Sequence, residues 1–90
     1  MALLTETEIE TLLPRVPGWE RRGAEIRRTW TFPDFRAAMA FVNRVADLAE
    51  AANHHPDIDV RYSKVTLVLS THDAGGLTAR DFALAEKIGA

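Results

Sequence analysis

The sequence predicts an α+β domain of order helix, two strands, helix, two strands, helix, its four strands forming one antiparallel sheet covered by helices on one face. Three observations carry this. Apolar residues recur at helical spacing in three stretches, two of which open on a capping box. Between the helical stretches lie two pairs of short segments with period-two alternation, each pair reading as a hairpin. The strands therefore come in blocks, which marks an α+β arrangement and not a doubly wound one.

The first helix opens at Thr5, with Glu8 three residues on to complete the capping box, and Ile9, Leu12 and Leu13 follow at helical spacing until Pro14 stops the run. Pro17-Gly18 marks a turn. Residues 19–22 and 25–32, joined across Gly23, read as a hairpin with Ile26, Trp30 and Phe32 on one face. Trp19 and Trp30 read as hairpin aromatics packing on the core. Asp34 caps a long second helix running to about Ala52, with a stripe of Phe35, Ala38, Met39, Val42, Val45, Ala46 and Ala49. Asn53 and Pro56 are stop signals, so His54 and His55 stand where a helix gives way to extended chain. Residues 58–62 and 65–71 form the second hairpin, turning at Ser63-Lys64; Val65, Leu67 and Leu69 face one way and Thr66, Val68 and Ser70 the other. Ala74-Gly75-Gly76 breaks the last strand, and Thr78 with Asp81 caps a third helix through Ile88.

The 90 residues read as a single domain spanning residues 1–90, 47% hydrophobic and 27% charged, with a formal net charge of -2. A core this thin gains from self-association, so an oligomer is expected. Without cysteine there is neither a disulfide framework nor a thiolate metal site, and a cytoplasmic location is the expectation. No signal-peptide pattern and no membrane-length apolar run stands in the sequence. Acids slightly outnumber bases, which argues against nucleic acid as a partner. The one basic cluster, Arg21, Arg22, Arg27 and Arg28, straddles the first hairpin and reads first as a solvated strand pair, second as a surface for an acidic partner.

All three histidines lie between positions 54 and 72, with Glu50, Asp57, Asp73 and Asp81 around them. Histidine is the side chain that ordinarily titrates near neutral pH, so this clustering points to proton transfer. The plainer reading is polar surface at a helix end and a strand end. Zinc held by three histidines and a carboxylate is a further alternative. Against it, His54 and His55 are adjacent, neighbours on extended chain face opposite ways, and no H-x-x-x-H helical spacing exists. Ser70, His72 and Asp73 are too close in sequence for a hydrolase relay, and there is no G-x-S-x-G elbow. The Gly75-Gly76 pair reads as a flexible helix entry before an anion cradle. Glu50 sits in the last turn of helix 2, where the helix dipole disfavours a carboxylate by about 0.3 to 1 kcal/mol. One turn before His54, it is placed to orient an imidazole or take its proton. Asp81 is already explained as a capping-box acid.

Taken together, Glu50-x-x-x-His54-His55-Pro56, Tyr62-x-Lys64-Val65 and Thr71-His72-x-x-x-Gly76-Leu77-Thr78-x-Arg80-Asp81, preceded by Gly18-Trp19 and Phe32-Pro-Asp-Phe35, closely resemble the pterin-4a-carbinolamine dehydratase family. The resemblance covers residues 5–88. It implies a four-stranded antiparallel sheet with three helices on one face, assembled as a homodimer or homotetramer. It implies dehydration of 4a-hydroxytetrahydropterin to quinonoid dihydropterin, in tetrahydropterin recycling, with no metal and no redox cofactor. Carried over by position, His54 and His72 become the acid/base candidates, with the assignment between them open. His55 contacts the pterin, Glu50 and Asp81 orient or tune the imidazoles, Thr71 adjoins the substrate beside His72, and Trp19 borders it. Such a transfer is worth roughly 10²- to 10⁴-fold in rate for each group. Two departures bear on pocket shape or assembly: Ile58 stands where several members carry Trp, and the sequence stops soon after helix 3. The family resemblance also implies an alternative, a noncatalytic dimerisation or assembly-factor module with a protein partner, though such relatives would be expected to lose the histidine motif that is whole here.

Overall fold

A computed structural model describes residues 2–89. Thr5 caps α1 (Glu6–Leu12) with the reciprocal Thr5–Glu8 capping box that the sequence predicts. Pro14 does not break the chain outright. It lies in the first turn of a 3-10 turn, Leu13–Arg15, that continues the helix, because proline's missing N–H costs nothing where no partner is waiting.

The strands β1 (Glu20–Arg22), β2 (Glu25–Thr31), β3 (Asp57–Arg61) and β4 (Lys64–Leu69) form one sheet in the order β1-β2-β4-β3, antiparallel throughout. Ile26, Val65, Leu67 and Leu69 are fully buried on the face under the helices. The opposite face is polar, with the Thr29 and Thr66 hydroxyls 2.8 Å apart across paired strands.

The second hairpin turns one residue earlier than its sequence predicts, at Tyr62-Ser63, with Arg61 opposite Lys64. The cause is long-range. The Phe32 N–H donates to the Ser63 carbonyl at 2.8 Å, and β2 pairs Trp30 with Val65, so the neighbouring strand fixes where β4 begins. Tyr62 takes a positive φ of 52° and points to solvent.

Asp34 caps α2 (Phe35–Ala52) by accepting from the Ala37 N–H at 2.8 Å. Its buried face is Ala38, Phe41, Val45 and Ala49. This corrects the predicted stripe: Phe35 is half exposed and Ala46 is exposed, while Phe41, absent from the stripe, is inside. The aromatic residues of the first hairpin draw it there, with the Phe41 ring centroid 4.8 Å from Trp30 and 5.1 Å from Phe32. α3 (Ala79–Gly89) contributes Phe82, Leu84, Ala85 and Ile88 to the same core, and α1 contributes Ile9.

The basic cluster is only partly a solvated strand pair. Arg21 bonds Glu6 of α1 and the Gly23 carbonyl. Arg28 lies 4.7 Å from the Trp30 ring centre and donates to the Pro17 carbonyl at 3.0 Å. Both tie the first hairpin to its surroundings.

Candidate active site

The end of α2 sets the geometry. Asn53 adopts the left-handed conformation, φ 50° and ψ 42°, and its N–H reaches the Ala49 and Glu50 carbonyls. The His54 N–H then returns to the Ala49 carbonyl at 3.1 Å. A residue in this conformation at a helix end reverses the chain and satisfies carbonyls that the helix leaves orphaned. The reversal sends His54 inward, 8% exposed, and leaves His55 outside.

The other wall comes from the segment between β4 and α3. Thr71 closes a small loop by bridging to Gly76, its N–H donating to the Gly76 carbonyl at 2.9 Å. Inside the loop His72 opens a 3-10 turn, His72–Ala74, that ends at left-handed Gly75. The N–H groups of Gly75 and Gly76 are committed to the Thr71 and His72 carbonyls, so they form no anion cradle.

The two walls meet at Asp81, which is completely buried. His54 Nε2 lies 2.6 Å from Asp81 Oδ1. Oδ2 accepts from the Thr71 hydroxyl at 2.8 Å and from the Thr78 N–H at 2.9 Å. The Thr71 and Thr78 hydroxyls are themselves 2.7 Å apart. Each oxygen of a carboxylate can accept two hydrogen bonds, so a buried carboxylate with three donors is well solvated by the protein. A carboxylate accepts, so Nε2 of His54 carries the proton in the neutral ring and Nδ1 keeps the lone pair.

A cavity of about 210 Å³ lies over this network, lined by His54, His55, Thr71, His72 and Arg80, together with Asn53, Ser70 and Asp73. It brings together all three histidines. Glu50 meets His55, with Oε2 2.5 Å from Nε2, and not His54, because the reversal at Asn53 folds the His55 ring back over the last turn of α2. Trp19 is not part of this cavity. It lines a larger hollow of about 530 Å³ with Val16, Arg28, Ala85 and Gly89, toward the other end of α3. Size does not make that hollow the reactive centre, since it holds no imidazole. The Trp19 indole is buried and packs edge-on to Trp30 with centroids 5.6 Å apart. Among the described residues no three histidine or acidic side chains converge as a metal site, and no helix is long and apolar enough to cross a membrane.

Thr78 and Arg80 received no site role from sequence, and both belong to the site. Thr78 is fully buried and completes the hydroxyl pair with Thr71. Arg80 donates from Nη2 to the Asn53 carbonyl, joining the start of α3 to the end of α2. Their place beside Asp81 in one short run was the available signal.

A four-stranded sheet covered by three helices, with a histidine–carboxylate pocket where α2 and α3 converge, defines a small α+β protein built for proton transfer or for polar ligand binding. A family model described as pterin 4 alpha carbinolamine dehydratase matches residues 2–90, and the chain belongs to that family. It is 59% identical over 88 residues to a Thermomicrobium roseum protein named "Putative pterin-4-alpha-carbinolamine dehydratase", covering 98% of this chain and 95% of the relative. A Roseiflexus castenholzii protein of the same name is 62% identical over 87 residues, covering 97% of this chain and 94% of the relative. Among solved structures, a transcriptional coactivator/pterin dehydratase from Brucella melitensis superposes with a TM-score of 0.91 at 34% identity, covering 96% of this chain and 94% of that one. A pterin dehydratase-like protein identified as a RuBisCO assembly factor in the alpha-carboxysome shares the fold, with a TM-score of 0.64 at 19% identity, covering 79% of this chain and 82% of that one.

Proposed function

We propose that this chain is a hydro-lyase that converts 4a-hydroxytetrahydropterin to quinonoid dihydropterin and water, in the recycling of tetrahydropterin. The observation that carries the reading is the buried His54–Asp81 pair opening into a cavity shared with His55 and His72. In the reaction the C4a–O bond breaks, the N5–H bond breaks, and the electrons of N5–H form the C4a=N5 bond. The departing hydroxide takes a proton from an acid and leaves as water, while a base takes the N5 proton, so the two groups together end with as many protons as they began.

His54 suits the base. Asp81 fixes its ring through Nε2 and stabilises the positive charge that develops when Nδ1 accepts a proton. His72, exposed on the far wall of the same cavity, suits the acid at the leaving oxygen. His55, steadied by Glu50, contacts the pterin, and the Thr71 hydroxyl borders the cavity beside His72. Trp19 is left out of this pocket, since within one chain it lines a different hollow. Exposed Ile58 and Tyr62 on the β3 hairpin support self-association, and the cysteine-free sequence suits the cytoplasm.

The alternative is a noncatalytic binding module on the same scaffold. The intact histidine pocket favours the enzyme. The deciding experiment follows dehydration of freshly generated 4a-hydroxytetrahydropterin by ultraviolet absorbance for the wild type, His54→Ala and His72→Ala. Acceleration that both variants lose supports the dehydratase; no acceleration over the spontaneous reaction by folded wild type overturns it and favours the module.

A further inference from the structure

The dipeptides Asn53-His54 and Arg80-Asp81 are joined twice. In the interior, the His54 ring meets the Asp81 carboxylate at 2.6 Å. At the rim, the Arg80 guanidinium donates to the Asn53 carbonyl. We infer that Arg80 is a positioning residue: by holding the Asn53 peptide it keeps Asn53 left-handed, and so sets the direction in which both imidazoles leave α2.

Asn53 is one of only two non-glycine residues with a positive φ among the described residues. A side chain at φ 50° is tolerated by asparagine but is not its preferred state. Asn53 is also the pivot between α2 and His54. A change in its dihedrals would rotate the following residues as a body, carrying His54 away from Asp81 and His55 away from Glu50. The helix-end hydrogen bonds from the Asn53 and His54 N–H groups favour the reversed conformation from the α2 side. Arg80 supplies the one hydrogen bond to the Asn53 carbonyl among the described residues, and it does so from α3. The planar guanidinium suits this task, because it offers several donors on a rigid fork, and Arg80 is itself one of the residues lining the cavity.

This inference rests on the dehydratase reading for its kinetic arm, so the test has a second arm that does not. The variants are Arg80→Ala, Arg80→Gln, Asn53→Gly and Asn53→Gly combined with Arg80→Ala, each checked by thermal unfolding. Glycine reaches positive φ without support, so it substitutes for the hold that Arg80 provides. Arg80→Ala is expected to lower kcat by about 10-fold or more with little change in KM, since small misplacements of reacting groups are costly. Against the Asn53→Gly background the same change should cost less than about threefold, in the spirit of a double-mutant cycle. In the second arm, the ring signals of His54 followed by nuclear magnetic resonance should shift in Arg80→Ala and Arg80→Gln, and return toward the parent position when Asn53→Gly is added. An equal kinetic loss in both backgrounds, a rise in KM alone, or no effect would overturn the positioning role. If the wild type proves inactive, unshifted or unrescued His54 signals overturn it without reference to turnover.

Discussion

Asp81 Oδ1 stands 2.6 Å from His54 Nε2 while the same carboxylate accepts the Thr78 N–H at 2.9 Å, so one side chain both orients an imidazole and caps a helix. A capping acid is ordinarily exposed, and this one has no exposed surface. The two duties can be separated by substitution.

Asp81→Asn keeps the size and one acceptor oxygen, so the fold should survive, with a stability loss of about 1 to 3 kcal/mol. It removes the charge that supports a protonated His54 and should lower kcat by roughly 10²-fold. Thermal unfolding and steady-state kinetics on the same preparation check both. Full activity would remove the carboxylate from the mechanism.

His72→Ala should cut turnover by at least ~10²-fold and leave stability within about 0.5 kcal/mol, because an exposed side chain in a 3-10 turn carries little packing. Denaturant unfolding alongside the dehydration assay distinguishes loss of chemistry from loss of fold.

Glu50→Gln should be mild. The Glu50–His55 pair is largely solvent-exposed, with 76% and 57% of the two side chains accessible, and pairs of this kind contribute less than about 1 kcal/mol. The expected signature is a KM increase of a few-fold with kcat nearly unchanged; an effect as large as that of Asp81→Asn would give Glu50 a direct part in proton transfer.

The contact between Glu6 and Arg21 predicts a pH dependence at the other side of the molecule. The hydrogen bond from Arg21 holds the Glu6 carboxyl below its ordinary value of 4.5, against a smaller opposing effect of burial. Its contribution is therefore complete above the unfolded value and disappears as pH falls through the lower folded value. Glu6→Gln should lower the unfolding midpoint at neutral pH, and the gap between variant and wild type should close as pH falls below the ordinary value of 4.5 and through the lowered folded value.

Much of the molecule was legible in sequence because its signals are local. The Thr5–Glu8 box, the Asp34 cap, the Asn53-His54-His55-Pro56 helix stop and the two hairpins depend on neighbours along the chain. What sequence placed imprecisely depends on distant partners. The turn at Tyr62-Ser63 is set by Phe32, and the burial of Phe41 by Trp30 and Phe32. The same distinction holds at the site. Asp81 was legible as a helix cap from spacing alone, and the family resemblance assigned it to the histidines. That Glu50 reaches His55 and not His54 depends on the left-handed turn at Asn53, which is legible as a helix stop but not in the direction it gives the two imidazoles that follow.

The sharing of Asp81 between cap and pocket has a consequence for how the protein fails on heating. Fraying of the first turn of α3 releases His54 at the same instant that it frees Thr71 and Thr78, so the site has no independent lifetime. Inactivation and melting of α3 should coincide, and changes meant to lengthen the life of the protein in hot solution belong at the distal end of that helix, well away from residues 78–81.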